Sequence, residues 1–331
     1  MKIKLLIGIL ISLIFLVWAF RDVDIAQSWN TLKTVKFHYV LLSVILSIVV
    51  FIIRSYRWKF LLILQKDIPF MSVFSANNIG FFANNVLPFR AGELVRAYVI
   101  GRNENIPKST VLATILVERV LDVLSLLFIA VAAILFLPIP QNDEFELIKT
   151  SCLILFAIEL LVILICYLLL TKREATLNIF NRLLKIFPEK IRNSAHGIID
   201  SFITGLEIFR AAKHFSLLIF TSFLIWLVVL IQIAVMITAF NINFDLFTLF
   251  IASVIVMVFI SLILTLPSAP GFVGTYHAAA KTGITMFSVN PDIAISLATI
   301  LHLSAYIPVT IMGFYYLLKE NIKISDAKKD F

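Results

Sequence analysis

Arg90, Glu93 and Arg96 form one charged set and Glu118, Arg119 and Asp122 a second, each set in otherwise apolar sequence. On a helix Glu93 and Arg96 share a face at i, i+3, Glu118 and Asp122 stand one turn apart, and Arg119 reaches Asp122. An ionisable group at the centre of a bilayer costs about 2.5–3.5 kcal/mol on insertion scales, so such groups pair or face water. The six then have two readings. Three cations and three anions can neutralise each other as a brace between helices. Alternatively they line a polar path in which Arg90 and Arg96 hold a phosphate, and Glu93, Glu118 and Asp122 hold or release those arginines. His277, Lys281 and His302 add polar groups to the second half, and Glu159 stands alone in the middle of an apolar block. Catalytic motifs are missing: we find no phosphate-cradling glycine loop and no hydrolase-like nucleophile. Cys152 and Cys166 lie about 21 Å apart along one helix, too far for a disulfide, and no Cys/His cluster has metal-ligand spacing. No enzyme activity, metal or cofactor is expected.

The elements that must position these groups are set by hydropathy. Of 331 residues 61% are hydrophobic and 15% charged, and the mean hydropathy is +1.01. A soluble domain is nearer 45–50% apolar and about 25% charged. The apolar residues fall in long blocks: Ile3–Phe20, Tyr39–Ile53, Val111–Leu137, Cys152–Leu170, Phe215–Phe240, Leu246–Leu266 and Ile293–Leu318. Most supply the roughly 20 residues that cross a bilayer as helix, and strand-like alternation is lacking. The expectation is an all-α polytopic transmembrane bundle of about seven or eight spans. Lys2 and Lys4 imitate a signal peptide, but Arg21-Asp22-Val23-Asp24 follows where a cleavage site would be, so the first helix is retained.

The net charge of +8 reflects loop placement rather than nucleic-acid binding. Arg54, Arg57, Lys59 and Lys66 read as a basic loop after the second apolar block. Residues 172–213 are basic, as is the tail from Lys319, whereas 138–149 carry Asp143, Glu144 and Glu146. The positive-inside rule puts the basic loops and both termini in the cytoplasm. Within 172–213, apolar residues recur at helical spacing, which predicts a cytoplasmic amphipathic helical insertion.

Two places break the apolar pattern. Residues 77–93 are rich in amide and helix-breaking residues, and basic loops flank them on both sides, which suggests a re-entrant segment. Residues 266–277 are the second. Both contain Leu-Pro, three residues and Gly, at Leu87-Pro88 to Gly92 and at Leu266-Pro267 to Gly271, and both lead into a short helix. A matched pair of broken segments marks an inverted-repeat transporter with its site between the repeats. Two ordinary Pro/Gly loops are the alternative. A cytoplasmic tail further requires Gly271–Phe287 to cross the membrane.

At these residues the chain resembles the lysylphosphatidylglycerol synthase transmembrane-region family. Leu87-Pro88-Phe89-Arg90-Ala91-Gly92-Glu93-Leu94-Val95-Arg96 is similar to its Leu-Pro-x-Arg-x-Gly-Glu-x-x-Arg motif, and Glu118-Arg119-Val120-Leu121-Asp122 to its Glu-Arg-x-x-Asp motif. Pro267-Ser268-Ala269-Pro270-Gly271-Phe272-Val273-Gly274 is similar to its Pro-x-x-Pro-Gly-x-x-Gly motif. The resemblance implies one flippase-like membrane domain over residues 1–331, without the soluble aminoacyl-transferase domain of fused members. It implies membrane lipids as substrates, phospholipid or polyprenyl-linked, and a lipid-modifying enzyme as partner. Pro88, Gly92, Pro267, Pro270, Gly271 and Gly274 would let backbone approach the lipid. Many members carry Glu where this chain has Thr275-Tyr276-His277, so His277 marks a different substrate preference. Two rivals stand beside this reading. A polyprenyl-phosphate-dependent glycosyltransferase would use Asp22 and Asp24 for a metal, although a solvated helix end explains that pair as well. A non-catalytic accessory subunit is the other.

Overall fold

The computed structural model describes residues 2–63, 66–87, 91–136, 143–184, 188, 215–264 and 269–322. Every regular element among them is helical: α1 Lys2–Phe20, α2 Ile25–Lys33, α3 Phe37–Leu62, α4 Phe70–Val86, α5 Gly92–Glu104, α6 Lys108–Phe136, α7 Asp143–Thr171, α8 Arg173–Leu184, α9 Phe215–Ala239, α10 Leu246–Ile263, α11 Thr275–Thr285 and α12 Pro291–Lys319. Each of the seven apolar blocks falls on one long helix. Among the described residues, α3, α9, α10 and α12 are long and apolar enough to cross a membrane, and α1, α6 and α7 are 19, 29 and 29 residues long. Outward faces carry large apolar side chains, such as Leu13, Ile14 and Val17 on α1 and Ile154, Ile158 and Leu161 on α7. Exposure on that scale suits lipid rather than water.

The chain forms two compact units. One comprises Met1–Ser55, Met71–Val99 and Leu224–Phe331, and the other Tyr56–Phe70 and Ile100–Phe223. In the first unit the 11-residue helix α11 packs against α1, α10 and α12. Ala278, Ala279 and Ala280 are buried, and a Cβ on Gly283 would lie 3.0 Å from Val256 Cα, so small residues let the backbones approach. Eleven residues span about 17 Å of helix, little more than half the hydrocarbon thickness. This helix alone therefore does not carry Gly271–Phe287 across the membrane.

Helix ends are closed by side chains drawn from elsewhere. Asp24 caps α2, accepting from Ala26 N–H at 2.8 Å and Gln27 N–H at 3.1 Å, and its own N–H donates to Asp292 at 2.7 Å. Asp245 caps α10 likewise, and the Thr248 hydroxyl at 2.6 Å holds its carboxyl below the usual carboxylate range. At the C-terminus of α1, Lys281 Nζ donates to the carbonyls of Ala19 at 2.9 Å and Arg21 at 2.7 Å. A cation there also complements the helix dipole.

Pro308 stands inside α12. Having no N–H, it leaves the Ser304 carbonyl without its helical partner. Ser47 Oγ of α3 lies 3.1 Å from that carbonyl and 2.8 Å from its own Val44 carbonyl, so one hydroxyl proton serves both. Ser43 and Ser304 hydroxyls meet at 2.9 Å, and Gln232 of α9 donates to the Ser43 carbonyl at 3.1 Å. Ser47→Ala should lower stability in detergent by about 1 kcal/mol. In a Pro308→Ala background, where the helical N–H returns, the same change should cost far less. Thermal unfolding of the four proteins of this cycle measures the difference.

In the second unit α6 packs on α7 and α7 on α8. Trp58 Nε1 donates to Thr114 Oγ1 at 3.0 Å, and Phe128 meets Phe223 edge to face. The helical insertion expected over 172–213 begins as α8; residues 185–187 and 189–214 lie outside the described residues.

Candidate functional site

The first broken segment is more regular than its composition suggests. Asn77 to Asn85 are all helical, within α4, and the break is confined to Leu87–Ala91, of which Pro88, Phe89 and Arg90 lie outside the described residues. Asn77, Asn84 and Asn85 bond to partners outside α4, and Asn78 donates to the Phe74 carbonyl one turn back, so none of them unwinds the helix. Over 71–99 the chain doubles back as a helical hairpin. A Cβ on Gly80 would lie 2.6 Å from Arg96 Cβ and 3.0 Å from the Gly92 carbonyl oxygen, and one on Gly92 would collide with the Gly80 carbonyl. Only glycines permit this crossing. Asn84 Oδ1 accepts the Gly92 N–H at 2.8 Å, closing the start of α5.

Asn77, Gly80 and Asn84 therefore form the face of α4 toward α5. Arg96 runs along it with 2% of its surface exposed. Asn77 donates from Nδ2 to Ser55 Oγ at 3.0 Å, and its Oδ1 is buried and accepts no hydrogen bond from the described residues. Glu93 sits in the first turn of α5, where a carboxylate suits the helix N-terminus. The opposite face of α4 meets α12: Phe82 and the Asn78 carbonyl abut Gly313, and Asn85 Nδ2 donates to Thr310 Oγ1 at 2.8 Å.

The second broken segment reaches α12 one turn away. Pro267 and Ser268 lie outside the described residues. Ala269 N–H donates to Ser12 Oγ at 2.7 Å, and Pro270 opens a 3-10 turn to Phe272. Gly271 (φ 71°) packs on the Tyr306 ring, and Gly274 (φ 88°) packs on the α1 backbone at Ser12 and Leu16. Tyr306 and Thr310 are consecutive turns of α12, joined by Thr310 Oγ1 donating to the Tyr306 carbonyl at 2.7 Å. Both broken segments thus seat on one stretch of α12, around Pro308. His277 Nδ1 accepts the Gly274 N–H at 3.4 Å and its ring meets Tyr276 and His302, with Tyr306 against the His302 ring.

The two charged sets fall in different compact units. In the second unit Glu118 and Asp122 meet a partner that sequence reading misplaced. Arg57 is no loop residue: α3 continues to Leu62, because Trp58, Leu61 and Leu62 are fully buried and extend its apolar face. Arg54 and Lys59 lie in the same helix. Fully buried, Arg57 donates from Nη2 to Asp122 at 2.7 Å and Glu118 at 3.3 Å, and from Nη1 to Ser222 Oγ at 3.0 Å. Arg119 reaches Glu118 at 3.5 Å and, as expected, Asp122 at 3.4 Å, while keeping 29% of its side chain exposed. Two arginines and two carboxylates make a neutral quartet. Its sequence signal was the helical phase of Arg57 with the buried Leu61, one turn on.

Asp24 is occupied as a helix cap, and Asp22 pairs with Arg21 at 3.8 Å on the surface. Lys281 serves the end of α1, and the Glu159 side chain lies outside the described residues. Among the described residues no group of three His, Cys, Asp or Glu side chains is placed to hold a metal.

Removing one partner of a buried ion pair strands the other, at about 3–5 kcal/mol. Arg57→Met should therefore sharply reduce the yield of monodisperse protein on size exclusion. The triple variant with Glu118→Gln and Asp122→Asn should recover most of it, and Arg119→Gln alone should cost under about 1 kcal/mol.

Comparison with known proteins places this arrangement. A UPF0104 membrane protein of Methanocaldococcus jannaschii is 25% identical over 96% of both chains. Another, of Methanothermobacter thermautotrophicus, is 23% identical over 83% of each. Glycosyltransferase AglD of Haloferax volcanii is 24% identical over 75% of this chain but only 43% of its own length. No solved structure matches. Residues 5–313 match the lysylphosphatidylglycerol synthase TM region, and the chain is a membrane protein belonging to that family.

Proposed function

We propose that this protein moves a phosphate-bearing lipid, a phospholipid or a polyprenyl-linked lipid, between leaflets. The headgroup passes along the first unit while the tails stay in the bilayer. The observation that carries the reading is Arg96: a guanidinium 2% exposed, held against the glycine crossing of a hairpin. A bilayer-embedded chain keeps a cation there at a cost, and a fork-shaped donor suits phosphate. Arg90 stands six residues before it in the same sequence motif and shares the role, with Glu93 as the counter-charge between them. The quartet around Arg57 serves as a brace, since its carboxylates are taken up by arginine, and Arg119 is its one half-exposed member. In this reading the basic loops and both termini are cytoplasmic, and the protein carries out no covalent step of its own.

A glycosyltransferase reading draws on the name of the Haloferax relative, of whose length less than half is matched. The Asp22-x-Asp24 pair supports it poorly, because the Asp24 carboxylate is spent on two backbone amides.

The test is reconstitution of the full chain in liposomes with fluorescent phosphatidylglycerol or polyprenyl phosphate in both leaflets, followed by a membrane-impermeant quencher. Wild type should expose the inner pool. Arg96→Gln, checked for monodispersity, should be at least about tenfold slower, since a hydrogen bond to a charged group is worth about 1.5–3 kcal/mol. Equal rates for both proteins would remove Arg96 from the path. Movement of neither lipid by wild type would turn attention to an accessory role.

A further inference from the structure

The phosphate path leaves one polar cluster unused, and it stands on the second broken segment. His302 of α12 stacks on Tyr276 (centroids 4.4 Å apart, planes at 18°) and meets His277 edge to face at 5.0 Å. Tyr306 closes the group at 5.5 Å from His302. Phenylalanines would pack equally well in such a cluster, but they could not make its directed contacts, of His302 with the Gly271 backbone and of His277 with the Gly274 backbone. Gly274 N–H points at His277 Nδ1, and that contact spans the turn that launches α11. It requires the Nδ1 lone pair, which a neutral imidazole with its proton on Nε2 supplies.

A proton added to Nδ1 takes up that lone pair. The Gly274 N–H then faces another N–H, and a positive charge stands at the N-terminus of α11, where the helix dipole opposes it. His302, 5.0 Å away, disfavours a second charge, so the pair takes one proton. Little else in the surroundings would answer that charge. α10 has no titratable side chain, and neither does α1 between Leu10 and Phe20. α12 presents His302 and Tyr306, and α11 itself presents Tyr276. Lys281 is turned toward the end of α1, and Asp292, near the start of α12, accepts from Asp24 N–H. Both histidines are buried, 8% and 7% exposed.

From this geometry we infer that the His277–His302 pair is a proton-binding site whose occupancy releases Gly274 and with it the second broken segment, coupling lipid movement to a proton gradient. Gly274 transmits the change, because its backbone lies directly on α1 at Ser12 and Leu16. The inference rests on the lipid-moving reading and adds its energy source.

The experiment uses the same liposomes with fluorescent phosphatidylglycerol, a gradient of one pH unit imposed in either direction, and an internal pH dye. One proton per lipid sustains a leaflet ratio of about tenfold per pH unit. Wild type should approach that ratio, reverse it with the gradient, and shift the luminal pH toward the external pH in step. His277→Asn keeps an acceptor for Gly274 but takes no proton, and its ratio should stay near one under either gradient. His302→Phe keeps the ring packing and provides a second variant, expected to blunt the response, should His277→Asn fold poorly. A wild-type ratio of one with lipid still moving overturns the coupling and leaves the lipid reading intact. A gradient response that survives both substitutions overturns the assignment to these histidines. Failure of wild type to move lipid overturns both.

Discussion

Hydrocarbon offers a backbone carbonyl or amide no partner, so every interruption of a helix inside a bilayer must be answered by a side chain. In the first unit the interruptions among the described residues find such answers. Pro308 opens the Ser304 carbonyl and Ser47 covers it. The start of α5 is closed by Asn84, and the entry to the second broken segment by Ser12. The C-terminal carbonyls of α1 are taken by Lys281. Almost every answering residue comes from another helix, so the breaks fix helix positions rather than loosen them. A break that also served as passage for a headgroup would need such a frame, because irregular backbone is tolerated only when held by protein or wetted.

The same scarcity governs the charges. Arg57, Glu118, Asp122 and Arg119 sum to zero, and the buried members share short contacts. Neutrality alone does not show what the quartet is for, since a buried pair is weak evidence of stabilisation. Its geometry is more telling: Arg57 spends three of its five N–H donors on two carboxylates and a hydroxyl, which fixes it between helices. Arg96 differs in setting: it packs against Gly80 at the glycine crossing and is 2% exposed. That contrast separates the two halves of a motif set that look equivalent as sequence.

Helical elements were legible in the sequence because hydropathy is additive along the chain: the seven apolar blocks are all helices. The ends were less so. Tyr39–Ile53 stopped short at Arg54 because charge was read as the membrane boundary, whereas α3 runs nine residues further to Leu62. Only the three-dimensional partners of Arg57 make its position affordable, and those sit 61 and 65 residues away. The amide run at Asn77–Asn85 erred in the opposite direction, since its composition suggested broken backbone while tertiary hydrogen bonds keep it helical. His277 was visible as a departure from the family pattern, but its contact with Gly274 depends on the φ of 88° there, which composition does not encode.

The position of Pro308 gives these observations a common consequence. Tyr306 holds the second broken segment and Thr310 holds α4, and the proline lies between them. A helix deforms most readily where its hydrogen-bond ladder is interrupted. If α12 bends there, Gly271 and Asn85 must move relative to each other, because each is tied to a different side of the bend. The two broken segments need no direct contact to act together. Their coupling is a property of one helix whose ladder lacks one bond, and it requires only that the ties at Tyr306 and Thr310 stay intact while the segment between them flexes.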